Sequence, residues 1–231
     1  MTDLVGKFKD DAYFAEKMAY FAQLGEQICP KCGCVNCRCE EIALENKLRK
    51  ERAEQTHRQN EIERLGGVRA YEDFTAEKYT NKKLLAEMNN YPAENYFLWG
   101  KAGSGKTHAA VAVLRNVKGA RVVRMSEISR EIRATQEPAD EAAIIKKYAE
   151  MPMLLDDLGS EKATEFLQNI LFEIMDKRWQ NKQGGLIITA NMNIKSLRGI
   201  IGDRTTSRIA GLVGAKNTLE LSGKDYRLKG V

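Results

Sequence analysis

The stretch YFLWGKAGSGKT, residues 96–107, decides how the chain is built. Tyr96 to Trp99 reads as a short buried strand, and the run HAAVAVL that begins at His108 reads as a helix. Between them the spacing of glycines, Lys106 and Thr107 is the P-loop pattern, in the strand, loop and helix setting that the pattern requires. Gly100, Gly103 and Gly105 let the backbone turn its amides inward, where a Cβ would intrude on phosphate oxygens. The loop Gly100, Lys101, Ala102, Gly103, Ser104, Gly105, Lys106 and Thr107 is therefore expected to hold the phosphates of ATP. Lys106 can reach the β and γ phosphates, Thr107 can hold Mg²⁺ through its hydroxyl, and the helix N-terminus adds partial positive charge.

Downstream, further short apolar runs alternate with helical stretches. Arg121 to Met125, Met153 to Leu155 and Leu186 to Thr189 read as buried strands joined by crossover helices. That alternation predicts an α/β fold with a parallel sheet flanked by helices. A P-loop lysine calls for a carboxylate on a neighbouring strand, and MPMLLDDLG, residues 151–159, provides one. Asp156 closes the apolar run and is placed to hold Mg²⁺ through water, while Asp157 would orient or deprotonate the attacking water. The alternative is a strand-ending turn capped by two aspartates.

The totals bound the rest. The 231 residues suffice for one main core and a small appendage. A hydrophobic share of 43% beside 30% charged residues fits a folded, soluble protein rather than a disordered one. No apolar run is long enough for a membrane span and no signal peptide opens the chain, so a cytoplasmic address is expected. The net charge of +5 permits nucleic-acid binding without requiring it.

All five cysteines fall in CPKCGCVNCRC, residues 29–39, a distribution that points to metal rather than to disulfides. Four of Cys29, Cys32, Cys34, Cys37 and Cys39 are expected to hold one Zn²⁺. The tight spacing leaves open whether the two C-x-x-C pairs or the set Cys29, Cys32, Cys37 and Cys39 does so. An iron–sulfur cluster and a redox thiol pair are the other uses of such a run. A short amphipathic helix, residues 10–24, precedes the cysteines. A charged helix, residues 40–65, follows and reads as a solvated connector rather than a coiled coil. Gly66 and Gly67 end it and set the expected boundary between a module of residues 1–67 and a domain of residues 68–231.

These residues resemble the DnaC and IstB family of AAA+ ATPases, which includes bacterial and phage helicase loaders. The resemblance runs from Val68 to the end and is strongest over residues 154–192, from LLDDLG to ITANM. It implies an AAA+ core without a C-terminal lid domain, and a role for Tyr71, Phe74 and Tyr79 beside the adenine. It places Asn191 at the family's sensor I position, where an amide can hydrogen-bond the γ-phosphate or the attacking water. In IIGDRTTSRIAGL, residues 200–212, it places Arg208 as an arginine finger acting in trans, with Arg204 the neighbour that could be confused with it. A finger in trans implies a self-oligomer. The closing KDYR, residues 224–227, keeps the family's Tyr226 and Arg227 but has Asp225 where relatives have serine.

The segment of residues 126–150 matches the paired helices where loaders and initiators carry an extra element. Arg130, Arg133, Lys146 and Lys147 there could touch single-stranded DNA, or form a solvated face. The implied function is an ATP-switched loader that places a hexameric DnaB-type helicase on single-stranded DNA, with the zinc module gripping the helicase. The alternatives are an IstB-like helper that remodels duplex DNA for a transposase, and a metal-stabilised DNA-binding adaptor whose ATPase is vestigial.

Overall fold

The computed structural model describes residues 38–135, 137–160 and 163–222, together with residue 19. The expected helix of residues 10–24 apart from residue 19, the ligand candidates Cys29, Cys32, Cys34 and Cys37, and the KDYR closing segment lie outside these residues. Contacts divide the chain into two units between Gln59 and Asn60. Helix α1, Cys39–Arg64, is exposed at its described side chains up to Asn60, including Leu44 and Leu48, and buries Ile62 only in its last turn. Those two leucines stand on the seam that a coiled coil would bury, so the observed helix is the solvated one.

In the second unit, residues 60–231, the elements run as a 3₁₀ turn Arg69–Asp73, α2 Lys82–Glu87, β1 Tyr96–Trp99, α3 Lys106–Leu114, β2 Arg121–Val123 and α4 Met125–Arg133. There follow α5 Pro138–Glu150, β3 Met153–Leu158, α6 Glu165–Gln180, β4 Leu186–Ala190, α7 Ile194–Ile201, α8 Asp203–Val213 and β5 Thr218–Glu220. The strands form one five-stranded sheet in the order β2-β3-β4-β1-β5, every neighbouring pair parallel.

Side chains of the central strands alternate between two cores, as the two-residue repeat of a strand dictates. Phe97, Met153, Leu155, Leu186 and Ile188 face α4 to α8, whereas Tyr96, Leu98, Leu154 and Ile187 face α3 and the lead-in at Tyr71 and Tyr79. Helix α3 packs closely because Ala109, Ala110 and Ala112 keep it thin where it is buried on nearly every side. Local chemistry fixes several helix starts. The side chains of Thr164 and Asn193 accept hydrogen bonds from Leu167 and Ser196, and Pro138 occupies the first turn of α5, where no amide donor is needed.

Three strand expectations change. The second strand stops at Val123 and Met125 already opens α4, since Ile128 and Ile132 carry a helical spacing onto the core. The third does not end at Leu155. It continues to Leu158, with an irregularity in its pairing to β4 between Leu155 and Leu158. The strand β5, of sequence TLE, was not anticipated: three residues at a sheet edge carry too little pattern to be read.

Candidate nucleotide site

The sheet order sets the geometry of the site. Because β4 lies between β1 and β3, the loop after β1 and the aspartates of β3 are held apart by one strand, and the residue that follows β4 falls between them. That residue is Asn191. Lys106 Nζ donates to Asn191 Oδ1 at 3.0 Å, and Asn191 Nδ2 donates to Asp157 Oδ1 at 3.0 Å. A lysine can only donate and a carboxylate can only accept, so the amide orientation is forced. Lys106 also donates to the carbonyl oxygens of Gly100 and Lys101, each at 2.8 Å.

The loop depends on its glycines for packing as well as for turning. A Cβ on Gly100 would lie 2.3 Å from the Leu221 carbonyl oxygen, on the chain segment that follows β5. Gly105 caps α3 at φ 89°, in the left-handed region, with the Tyr79 ring 3.2 Å from where its Cβ would be. Ser104 Oγ is buried and has no hydrogen-bond partner among the described residues.

Asp156 is buried within a ring of hydroxyl donors. Thr107 donates to its Oδ1 at 2.9 Å and Thr189 to the same atom at 2.7 Å, while Tyr71 donates to Oδ2 at 3.1 Å. Asp157 adopts φ 57°, uncommon for a residue with a side chain, and its amide donates to Thr189 Oγ1 at 2.8 Å. The irregularity in β3 thus turns two successive carboxylates to separate partners instead of to opposite faces of a regular strand. Thr189 was read only as the end of a strand, and a threonine inside an otherwise apolar run is the one signal that marked it.

A cleft of about 580 Å³ opens over these groups, within the usual range for a small-molecule site. Phosphate-loop residues, Asp156, Asp157, Thr189 and Asn191 line one part, and Val68, Phe74, Tyr79, Thr80 and His108 line another. Phe74 stacks on His108 with centroids 4.6 Å apart and planes 6° from parallel, and Tyr79 meets the same imidazole at 5.0 Å, tilted 53°. His108 Nε2 lies 3.1 Å from the Thr75 carbonyl oxygen, which can only accept, so that nitrogen carries the proton. The sequence treated His108 merely as the start of a helix. All three expected aromatics line the cleft, and Tyr71 in addition turns its hydroxyl to Asp156. Burial, then the negative charge of Asp156, pushes the Tyr71 hydroxyl up to about 12.

Arg204 and Arg208 do not line this cleft. Arg208 donates through Nε to Asp176 Oδ1 at 2.5 Å, and its guanidinium lies 4.2 Å from the centre of the Trp179 ring. Arg204 lies over Phe172 at 3.9 Å. In the paired helices α4 and α5, Lys147 pairs with Glu131 at 2.5 Å and Lys146 with Glu150 at 3.9 Å, while Arg133 stands 5.6 Å over Phe166. Arg130 is exposed in the last turn of α4. Among the described residues no group of three or more histidine, cysteine or acidic side chains is placed to hold a metal, and no helix is long and apolar enough to cross a membrane.

A parallel sheet with a phosphate-type loop after β1 and carboxylates on β3, all opening into one cleft at the strand C-terminal ends, defines a P-loop fold. The family of IstB-like ATP binding proteins matches residues 37–230, and the chain belongs to it. It is 25% identical over 179 residues to the ATP-binding protein of insertion sequence IS21 from Pseudomonas aeruginosa, covering 72% of this chain and 67% of that one. Among solved structures it is similar to the DnaC helicase loader, with TM-score 0.57 and 21% identity, covering 67% of this chain and all of that one. It is also similar to DnaI, with TM-score 0.53 and 19% identity, covering 68% and 93%. The parallel sheet flanked by helices that the sequence predicts is the fold observed.

Proposed function

We propose that the protein hydrolyses ATP and loads a hexameric DnaB-type helicase onto single-stranded DNA, acting as an ATP-switched oligomer. The observation that carries the ATP-hydrolysing part is the relay Lys106, Asn191 and Asp157, beside Thr107 and Asp156, at one mouth of the sheet. The likeness in fold to the DnaC helicase loader and to DnaI supports the loading part.

The residues fit Mg²⁺ and a nucleoside triphosphate. Together these bring an electrophilic γ-phosphoryl group and a divalent cation that spreads its charge. Phe74, His108 and Tyr79 wall the base. The amides of residues 100–107 and Lys106 bind the phosphates, and Thr107 and Asp156 hold the cation. Asp157 orients the attacking water and takes its proton, within reach of Asn191, which couples the state of the phosphates to β4. Arg208 of one copy completes the site of its neighbour; its partly exposed guanidinium, beside Asp176 and Trp179, is compatible with that role. Four of the five cysteines hold Zn²⁺ in a module of residues 1–67 that grips the helicase, and Arg130 contributes to the DNA surface.

The relative from insertion sequence IS21 favours a second reading, a helper ATPase that remodels duplex DNA for a transposase. Co-purification from the native host, with and without ATP, tests the pair. A helicase in the complex supports the first reading and a transposase the second. Recovery of neither, from protein that binds ATP, would count against both.

A further inference from the structure

The Tyr71 hydroxyl lies far in sequence from the aspartates yet is hydrogen-bonded to one of them, and nothing in the phosphate-loop pattern calls for it. Tyr71 is buried in the 3₁₀ turn ahead of the sheet, and its oxygen has two neighbours: Asp156 Oδ2 at 3.1 Å and Arg124 Nη2 at 3.4 Å. A guanidinium has only donors, so Arg124 must give its proton to the tyrosine oxygen. The single tyrosine proton is thereby directed at Asp156. Arg124 is the extended residue between β2 and α4, so a second segment of the chain sets the direction of the Tyr71 hydroxyl.

On the other oxygen, Oδ1, Thr107 and Thr189 both donate. The carboxylate is therefore held from both sides. Without Tyr71 it would keep both threonine bonds to one atom and be free to tilt about them. Groups that fix a metal-binding carboxylate in this way commonly change metal affinity by about 10- to 100-fold when removed.

We propose that Tyr71 is a positioning residue for Mg²⁺ binding: its hydroxyl, aimed by Arg124, locks the carboxylate of Asp156 in the orientation that receives the hydrated cation. The inference rests on the assignment of the cleft to Mg²⁺ and ATP. Its consequence is that the lead-in turn, which also carries Phe74 against the base, is tied to the cation site by one hydrogen bond. Base recognition and metal binding are thus coupled through residues 71–74.

The test uses the full chain with Tyr71→Phe, which keeps the buried ring and removes one oxygen. Binding of a fluorescent methylanthraniloyl-ATP is followed first in EDTA and then through a Mg²⁺ titration. The expected result is nucleotide affinity in EDTA equal to that of wild type, with the Mg²⁺ concentration for half-maximal tightening raised about 10-fold. Equal Mg²⁺ dependence in the two proteins would overturn the inference. So would equal weakening with and without metal, since that pattern belongs to a ring that only shapes the cleft. Wild-type protein that binds the probe with no response to Mg²⁺ would overturn the assignment of the cleft to Mg²⁺ and ATP, and this inference with it. Arg178→Met, remote from the cleft, serves as the control and leaves both parts of the titration unchanged at temperatures where it is folded.

Discussion

Arg178→Met should destabilise the domain by about 3 kcal/mol without weakening nucleotide binding. Arg178 stands in α6 with no exposed surface and no carboxylate partner among the described residues. Its Nε donates to the Tyr148 carbonyl at 3.1 Å, Nη1 to the Gly184 carbonyl at 3.3 Å, and Nη2 to the Met151 carbonyl. Tyr148 lies in the last turn of α5, and the residue four positions on is Pro152, which has no amide to give. Arg178 takes that amide's place. One guanidinium therefore fastens the end of α5, the entry to β3 and the approach to β4.

Leaving a buried acceptor without a donor costs roughly 1 to 3 kcal/mol. The Gly184 carbonyl keeps Gln183 Nε2 as a donor at 3.4 Å, so the carbonyls of Tyr148 and Met151 are the two that lose theirs, at about 4 kcal/mol together. Against this, burial pushes the guanidinium down to about 10, and the hydration that it gives up and methionine does not forgo offsets part of that cost. The net loss is about 3 kcal/mol, or about 6 to 12 °C in melting temperature for a domain of this size. Urea and thermal unfolding of the full chain measure it, with Arg178→Lys as an intermediate case because an ammonium cannot span three carbonyls. A methionine variant within about 1 kcal/mol of wild type would refute the carbonyl account.

Other outcomes follow from the site and its surroundings. Lys106→Ala should weaken ATP binding by about 10- to 100-fold, the worth of a charge-assisted hydrogen bond, and calorimetric titration showing wild-type affinity would contradict the phosphate assignment. Asp157→Gly should remove a left-handed residue worth about 1 kcal/mol of strain while abolishing the water-directing carboxylate. The expectation is an unchanged or higher melting temperature, retained ATP binding and turnover lower by at least about 100-fold; preserved turnover would exclude Asp157 as the base. Glu131 bears on acid stability: burial raises its carboxyl, but hydrogen bonds from Lys147 and Tyr148 outweigh this and hold it below its ordinary value. Because the folded value is the lower one, the stabilisation is present above the unfolded value of about 4.3 and is lost as pH falls through the folded value. Melting curves from about pH 6 to about pH 3 should therefore fall less steeply for Glu131→Gln than for wild type, and parallel curves would rule the contribution out.

The residues 96–107 and 151–159 determined the core of this protein by themselves. A glycine loop between a buried strand and a helix, followed by an apolar run ending in aspartates, admits few folds, because backbone turning and period-two burial are local properties of the chain. The strand, loop and helix and the set Lys106, Thr107, Asp156 and Asp157 were legible there, the parallel sheet in the alternation that follows, and Asn191 only through the resemblance to the family. Tertiary structure alone decided which of them touch. The insertion of β4 between β1 and β3 put Asn191 between lysine and aspartate, and the break in β3 gave each aspartate its own partners. It also made Tyr71 a partner of Asp156, set His108 against Phe74 as a cleft wall, and buried Arg178, which in DKRWQNK reads as one more surface charge. Each of these depends on which distant backbone or side-chain atoms supply a donor or acceptor, and neither propensity nor periodicity encodes that.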